Sequence, residues 1–159
     1  MGAMTNLLVK DDANPLVEFT LVPVTDTPTP FWRSAIAGVP FDGQIRLTCL
    51  SDVVKSGDRK YTFKLEVPVM ETLGASGTSA GYVAPPKVAY VNTAIFTMFS
   101  SSRSTRQDRS NLMKLLLGIL AGATSTTATG TLNGASVADA VKNSTAPSPQ
   151  VFVDGIIPN

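Results

Sequence analysis

The sequence contains no histidine and a single cysteine, Cys49. Without histidine, Ser-His-Asp and Cys-His nucleophile systems are excluded, and so are histidine-containing zinc sites. One cysteine excludes an intramolecular disulfide. Charge is sparse: Asp, Glu, Lys and Arg make up 16% of the 159 residues, and the net charge is only +1. No apolar stretch can span a membrane, since Leu115–Ala121 is far too short, and no signal-peptide pattern occurs. There is no P-loop and no dinucleotide fingerprint. The carboxylates are scattered, apart from Asp11-Asp12 in a polar N-terminal stretch. An enzyme is therefore not expected, nor a cofactor, a metal or a small-molecule substrate.

What is present is one ordinary domain's length of chain with 43% hydrophobic residues. Such composition suits a protein that buries its surface in an assembly, and equally a compact secreted domain. The charge is unevenly placed. Residues 44–64 carry +3 and residues 87–114 carry +4, while the rest carries −6. That separation favours a polyanion on one surface without making the protein globally basic.

The stretch from Gln44 to Pro68 alternates with period two on both sides of a Lys55-Ser56-Gly57-Asp58 turn. On the first strand Ile45, Leu47 and Cys49 share one face, with Arg46 and Thr48 on the other and Leu50 as an apolar intruder there. On the second, Tyr61, Phe63, Leu65 and Val67 oppose Lys60, Thr62, Lys64 and Glu66. This predicts a β-hairpin with one apolar and one cationic face. Cys49 falls on the apolar face as a structural thiol. A third strand, Val88–Phe99, puts Val91, Thr93 and Ile95 on one side and Tyr90 and Asn92 on the other. In a common sheet, one polar face is expected to display Arg46, Thr48, Lys60, Thr62, Lys64, Tyr90 and Asn92. Cations for phosphates, hydroxyls and an amide for base edges, and a ring for stacking are what recognition of single-stranded or looped RNA requires. A merely solvated sheet face has the same pattern.

Arg59-Lys60-Tyr61-Thr62, with Lys64 and Glu66-Val67-Pro68, resembles the central strand of the coat proteins of single-stranded RNA bacteriophages of the levivirus type. Leu47-Thr48-Cys49 and Tyr90-Val91-Asn92 resemble the strands on either side of it. The resemblance runs from about Phe19 to about Gly122. It implies an α+β fold in which an N-terminal β-hairpin and an antiparallel sheet precede one long and one short C-terminal helix. It also implies an intertwined homodimer with a continuous sheet. Dimers would assemble in the bacterial cytoplasm into an icosahedral virion shell around genomic RNA. The inner sheet face would also bind an RNA hairpin and repress replicase translation, through the seven residues named above. Leu50, Asp52 and Ala94 depart from a well-studied member, where a small hydroxyl residue, a base and an acid stand. These departures bear on the identity of the hairpin and not on the shell.

The remaining chain is read as parts of that single domain. Residues 1–14 are expected to be a flexible arm. Residues 15–99 form the sheet region, with strands over Pro15–Val24 and Phe31–Ile36, and a long Gly-rich loop at 69–86. A helix over 104–121 is predicted from the stripe Leu112, Leu115, Leu116, Ile119 and Leu120, with Ser104 as N-cap and Gln107 completing a capping box. Arg103, Arg106 and Arg109 at its start oppose the helix dipole, which calls either for a partner, such as carboxylates of a neighbouring subunit, or for a merely solvated face. A Ser/Thr/Ala/Gly insertion at 124–134, a short helix at 137–143 and a C-terminal tail at 144–159, apolar over Val151–Ile157, complete the chain. Other readings of the same residues are a dimeric RNA-binding module that forms no shell and a pilus- or sheath-like subunit that binds no nucleic acid.

Overall fold

The computed structural model of the chain describes residues 4–13, 15–71 and 86–120. Six strands follow one another: β1 (Leu7–Lys10), β2 (Glu18–Thr25), β3 (Phe31–Ser34), β4 (Arg46–Val53), β5 (Arg59–Met70) and β6 (Val88–Ser100). They lie in one sheet in sequence order, and each pair from β2/β3 to β5/β6 is antiparallel. A helix, α1 (Arg106–Leu120), follows. The predicted second helix, the insertion, the C-terminal tail and most of the long loop lie outside the described residues.

The described residues fall into two compact units, one built on β3–β6 with most of β2, the other holding the chain around Asp11 and α1. In the first, the central hairpin closes as its sequence dictates. Gly57 takes φ +83°, a conformation that costs glycine little. Its N–H donates to Val54 O at 2.9 Å, and Val54 N–H donates to Asp58 O at 2.9 Å. The Asp58 carboxylate also accepts from the Ser56 hydroxyl and from Ser102 N–H. Pro23 and Pro68 both lie inside strands. Each stands beside a register shift, at Pro23/Thr25 and at Val69/Met70, where a missing N–H is tolerated. Strand pairing therefore runs past Pro68, where the sequence reading ended it.

The β3–β4 corner is organised by Gln44, which is buried beside Ser34. Gln44 Oε1 accepts from the Ser34 hydroxyl at 2.8 Å and from Ile36 N–H at 3.0 Å. Its Nε2 donates to Ile36 O and Val39 O, both at 2.9 Å. Ser34 Oγ accepts in turn from Ile45 N–H at 2.9 Å. A single 3-10 turn, Phe41–Gly43, leads into the corner. Gly43 fits closely there, because a Cβ would lie 2.5 Å from Met70 Sδ and 2.7 Å from Val39 Cγ1 and both side chains would have to shift.

The N-terminal stretch contains structure that the sequence reading left as an arm. Leu7–Lys10 forms the edge strand β1, and the indole N–H of Trp32 donates to Thr5 O at 3.0 Å. In the second unit, Asp11 Oδ1 accepts from Ala13 N–H and Val17 N–H, and Asp11 N–H donates to Val17 O. This closes the connection from β1 to β2. The helix cap is one residue later than predicted. Thr105 Oγ1 accepts from Asp108 N–H at 3.2 Å, while the Asp108 carboxylate accepts from Thr105 N–H at 2.9 Å and from its hydroxyl at 2.8 Å. The box is thus Thr105-x-x-Asp108 and not Ser104-x-x-Gln107. These bonds hold the Asp108 carboxyl below the usual carboxylate range, with the Thr105 backbone N–H the largest cause. Arg109 Nη1 donates to Ser104 O at 2.7 Å and to its hydroxyl at 3.1 Å, so this arginine has a partner within its own chain.

Little apolar surface is covered. Among the described hydrophobic residues only Leu21 is buried, at 3% exposure. No residue of α1 is buried, and Leu112, Leu115 and Ile119 of its stripe are exposed. Phe63, Ile95 and Phe99 of the sheet are exposed as well.

Candidate nucleic-acid interface

The pairing of β4 with β5 places the cations. Arg46 opposes Glu66, Thr48 opposes Lys64, Leu50 opposes Thr62 and Asp52 opposes Lys60. Directly opposed residues of an antiparallel pair point to the same side. Arg46, Thr48, Lys60, Thr62 and Lys64 therefore share one face, as their alternation predicts. Leu47 with Leu65 and Cys49 with Phe63 occupy the other. Partial burial there pushes the Cys49 thiol pKa up, which keeps it protonated and unreactive at neutral pH.

On the cationic face, Lys64 Nζ lies 2.9 Å from Glu66 Oε1, and Arg46 Nη2 lies 3.7 Å from the same oxygen. Glu66 thus gathers two cationic heads without neutralising both. Such partly exposed pairs add little stability. Their effect is positional.

The register of β6 corrects one expectation. Asn92 opposes Val67 and Tyr90 opposes Val69, so both stand on the face of Leu65 and Phe63, away from Lys60 and Lys64. The residues of β6 that join the cations are Thr93 opposite Glu66, Ile95 opposite Lys64, Thr97 opposite Thr62 and Phe99 opposite Lys60. The Thr62 and Thr97 hydroxyls lie 3.4 Å apart. The physical reason is parity: a shift of one residue exchanges the two faces of a strand, and alternation within β6 does not fix its register against β5. The face thus carries hydroxyls from Thr48, Thr62, Thr93 and Thr97. From β6 the ring on this face is Phe99, 64% exposed beside Lys60, and not Tyr90.

On the other flank, β3 brings Phe31 opposite Thr48 and Arg33 opposite Arg46. Neither was singled out from the sequence, although the alternation Phe31-Trp32-Arg33 already separates them from Trp32. Among the described residues no cluster of His, Cys, Asp or Glu could hold a metal ion, and no helix is long and apolar enough to cross a membrane.

Comparison with known proteins gives this sheet a family. No curated protein matches the chain. The family model described as levivirus coat protein matches residues 2–146. Among solved structures, the virus-like particle of bacteriophage EMS014 is 47% identical, with a TM-score of 0.84 over 99% of this chain and all of that one. The bacteriophage GA protein capsid is 22% identical, with a TM-score of 0.58 over 75% of this chain and 86% of that one. An unassembled coat protein dimer, described as a bacteriophage RNA-binding dimer, is 20% identical, with a TM-score of 0.52 over 83% of this chain and 95% of that one. The last two support the fold alone. With the family model matched over nearly its whole length, the chain belongs to the levivirus coat proteins, which are structural proteins and not enzymes.

Proposed function

We propose that homodimers of this chain assemble into an icosahedral shell that packages single-stranded RNA, with the cationic face of β4–β6 turned toward the RNA. The observation that carries the RNA side is the shared face of Arg46, Lys60 and Lys64 with the hydroxyls of Thr48 and Thr62. Kinship at 47% identity with a protein that forms a virus-like particle supports the shell. The exposed stripe of α1 and the exposed apolar residues of the sheet support burial in an assembly.

Lys60, Lys64 and Arg46 would neutralise phosphates, giving binding that weakens with salt. The threonine hydroxyls would reach sugars and base edges, and Phe99 would stack a base. Recognition of an RNA hairpin, and with it repression of replicase translation, would use the same face. Tyr90 and Asn92 have no part on that face in this chain.

The test is the RNA content of particles purified from an expressing bacterium. Lys60→Ala with Lys64→Ala should lower the 260/280 nm absorbance ratio while leaving folded dimers. Asn92→Ala should leave the ratio unchanged. If the lysine pair leaves RNA content intact, the assigned face is wrong.

A further inference from the structure

β3 sets Arg33 directly opposite Arg46, and β4 sets Arg46 directly opposite Glu66. Two like charges opposed across a strand pair repel, and Glu66 is already shared by Arg46 and Lys64 at 3.7 and 2.9 Å. The Nε groups of Arg33 and Arg46 are both buried and have no hydrogen-bond partner among the described residues. A buried donor without an acceptor is costly, and here two such donors stand side by side. The guanidinium of Arg33 lies 5.4 Å from the ring centroid of Phe41. Stacking of that kind holds the plane of the fork while its edge stays available to an acceptor.

We propose that Arg33 and Arg46 form a two-guanidinium clamp for one phosphate of bound RNA. Arg33 is then a phosphate-contact residue on the flank of the sheet face. A phosphodiester carries a full negative charge and two non-bridging oxygens. Both can accept from planar forks, a geometry that lysine cannot match. The clamp rests on the RNA-face reading above and extends it by one strand, to β3.

The experiment uses the full-length protein freed of RNA and an oligouridylate, titrated at several salt concentrations. Arg33→Gln should weaken binding about tenfold at low salt. It should also flatten the log–log salt slope by about 0.7, the loss of one phosphate contact on a single strand. Arg33→Lys should keep the slope and lose affinity, because the charge stays and the fork is gone. Circular dichroism checks the fold. If Arg33→Gln does not fold, Arg33→Lys decides through affinity alone. Unchanged binding by the Arg33 variants, with a flattened slope for the Lys60→Ala, Lys64→Ala protein, overturns the clamp and keeps the RNA face. An unchanged slope for all variants overturns both. Intact RNA binding with weakened particle assembly in Arg33→Gln assigns the pair to a carboxylate of another copy, and also overturns the clamp.

Discussion

At the scale of single residues, Gln44 does the most to position the site without being part of it. Its amide makes four hydrogen bonds within the β3–β4 corner, and that corner fixes which residue of β3 opposes Arg46. Replacing it with leucine would leave the Ser34 hydroxyl, Ile36 N–H and two carbonyls without this partner. Gln44→Leu should therefore destabilise the protein by about 2–4 kcal/mol in urea unfolding. None of this was legible beforehand, because a glutamine between Gly43 and Ile45 looks like any loop residue until its surroundings are known. By contrast, the faces of Arg46, Thr48, Lys60, Thr62 and Lys64 could be read directly, since each lies in a strand whose apolar residues alternate, with Leu50 the one exception.

At the scale of elements, β4 and β5 announce themselves and β6 does not. Val91, Thr93 and Ile95 are more apolar as a set than Tyr90, Asn92 and Ala94, yet the register puts them on the cationic face, so hydrophobicity points to the wrong side here. The connection before β6 is also too long to transmit the register of β5. β1 was missed because the four residues Leu7–Lys10 show no alternation. The helix was legible from its stripe, and its first turn was off by one residue because Ser104 and Thr105 are both good caps. The cap has a consequence in acid. The Asp108 carboxyl is held below its ordinary range in the folded chain, so its contribution is complete above that range and is lost as pH falls through the lowered value. Helix content followed by circular dichroism should decline in acid, and Asp108→Asn should remove that part of the decline. An acid profile identical in the variant would assign the loss to other carboxylates.

At the scale of the whole molecule, the notable fact is how much apolar surface is uncovered among the described residues. A sheet with Phe63, Ile95 and Phe99 exposed, and a helix with no fully buried residue, would gain stability from a partner that covers them. The unfolding temperature should accordingly rise with protein concentration, by RT ln of the dilution factor in free energy. A midpoint that stays constant across a hundredfold dilution would indicate a self-sufficient monomer. The coarse architecture was readable from the sequence because strand alternation and helix spacing are local signals. The surface left to partners was readable only as composition, in the low charged fraction of the chain.

The chain has one tryptophan, Trp32, and its indole N–H is bonded to the carbonyl of Thr5. Its strand neighbours are Pro23 and Leu47. Tryptophan fluorescence, excited apart from the three tyrosines, therefore reports from a single place, where Thr5 is fastened to the sheet. Release of that fastening would appear as a change in emission without any label. The protein carries its own optical gauge of whether the segment at Thr5 is docked.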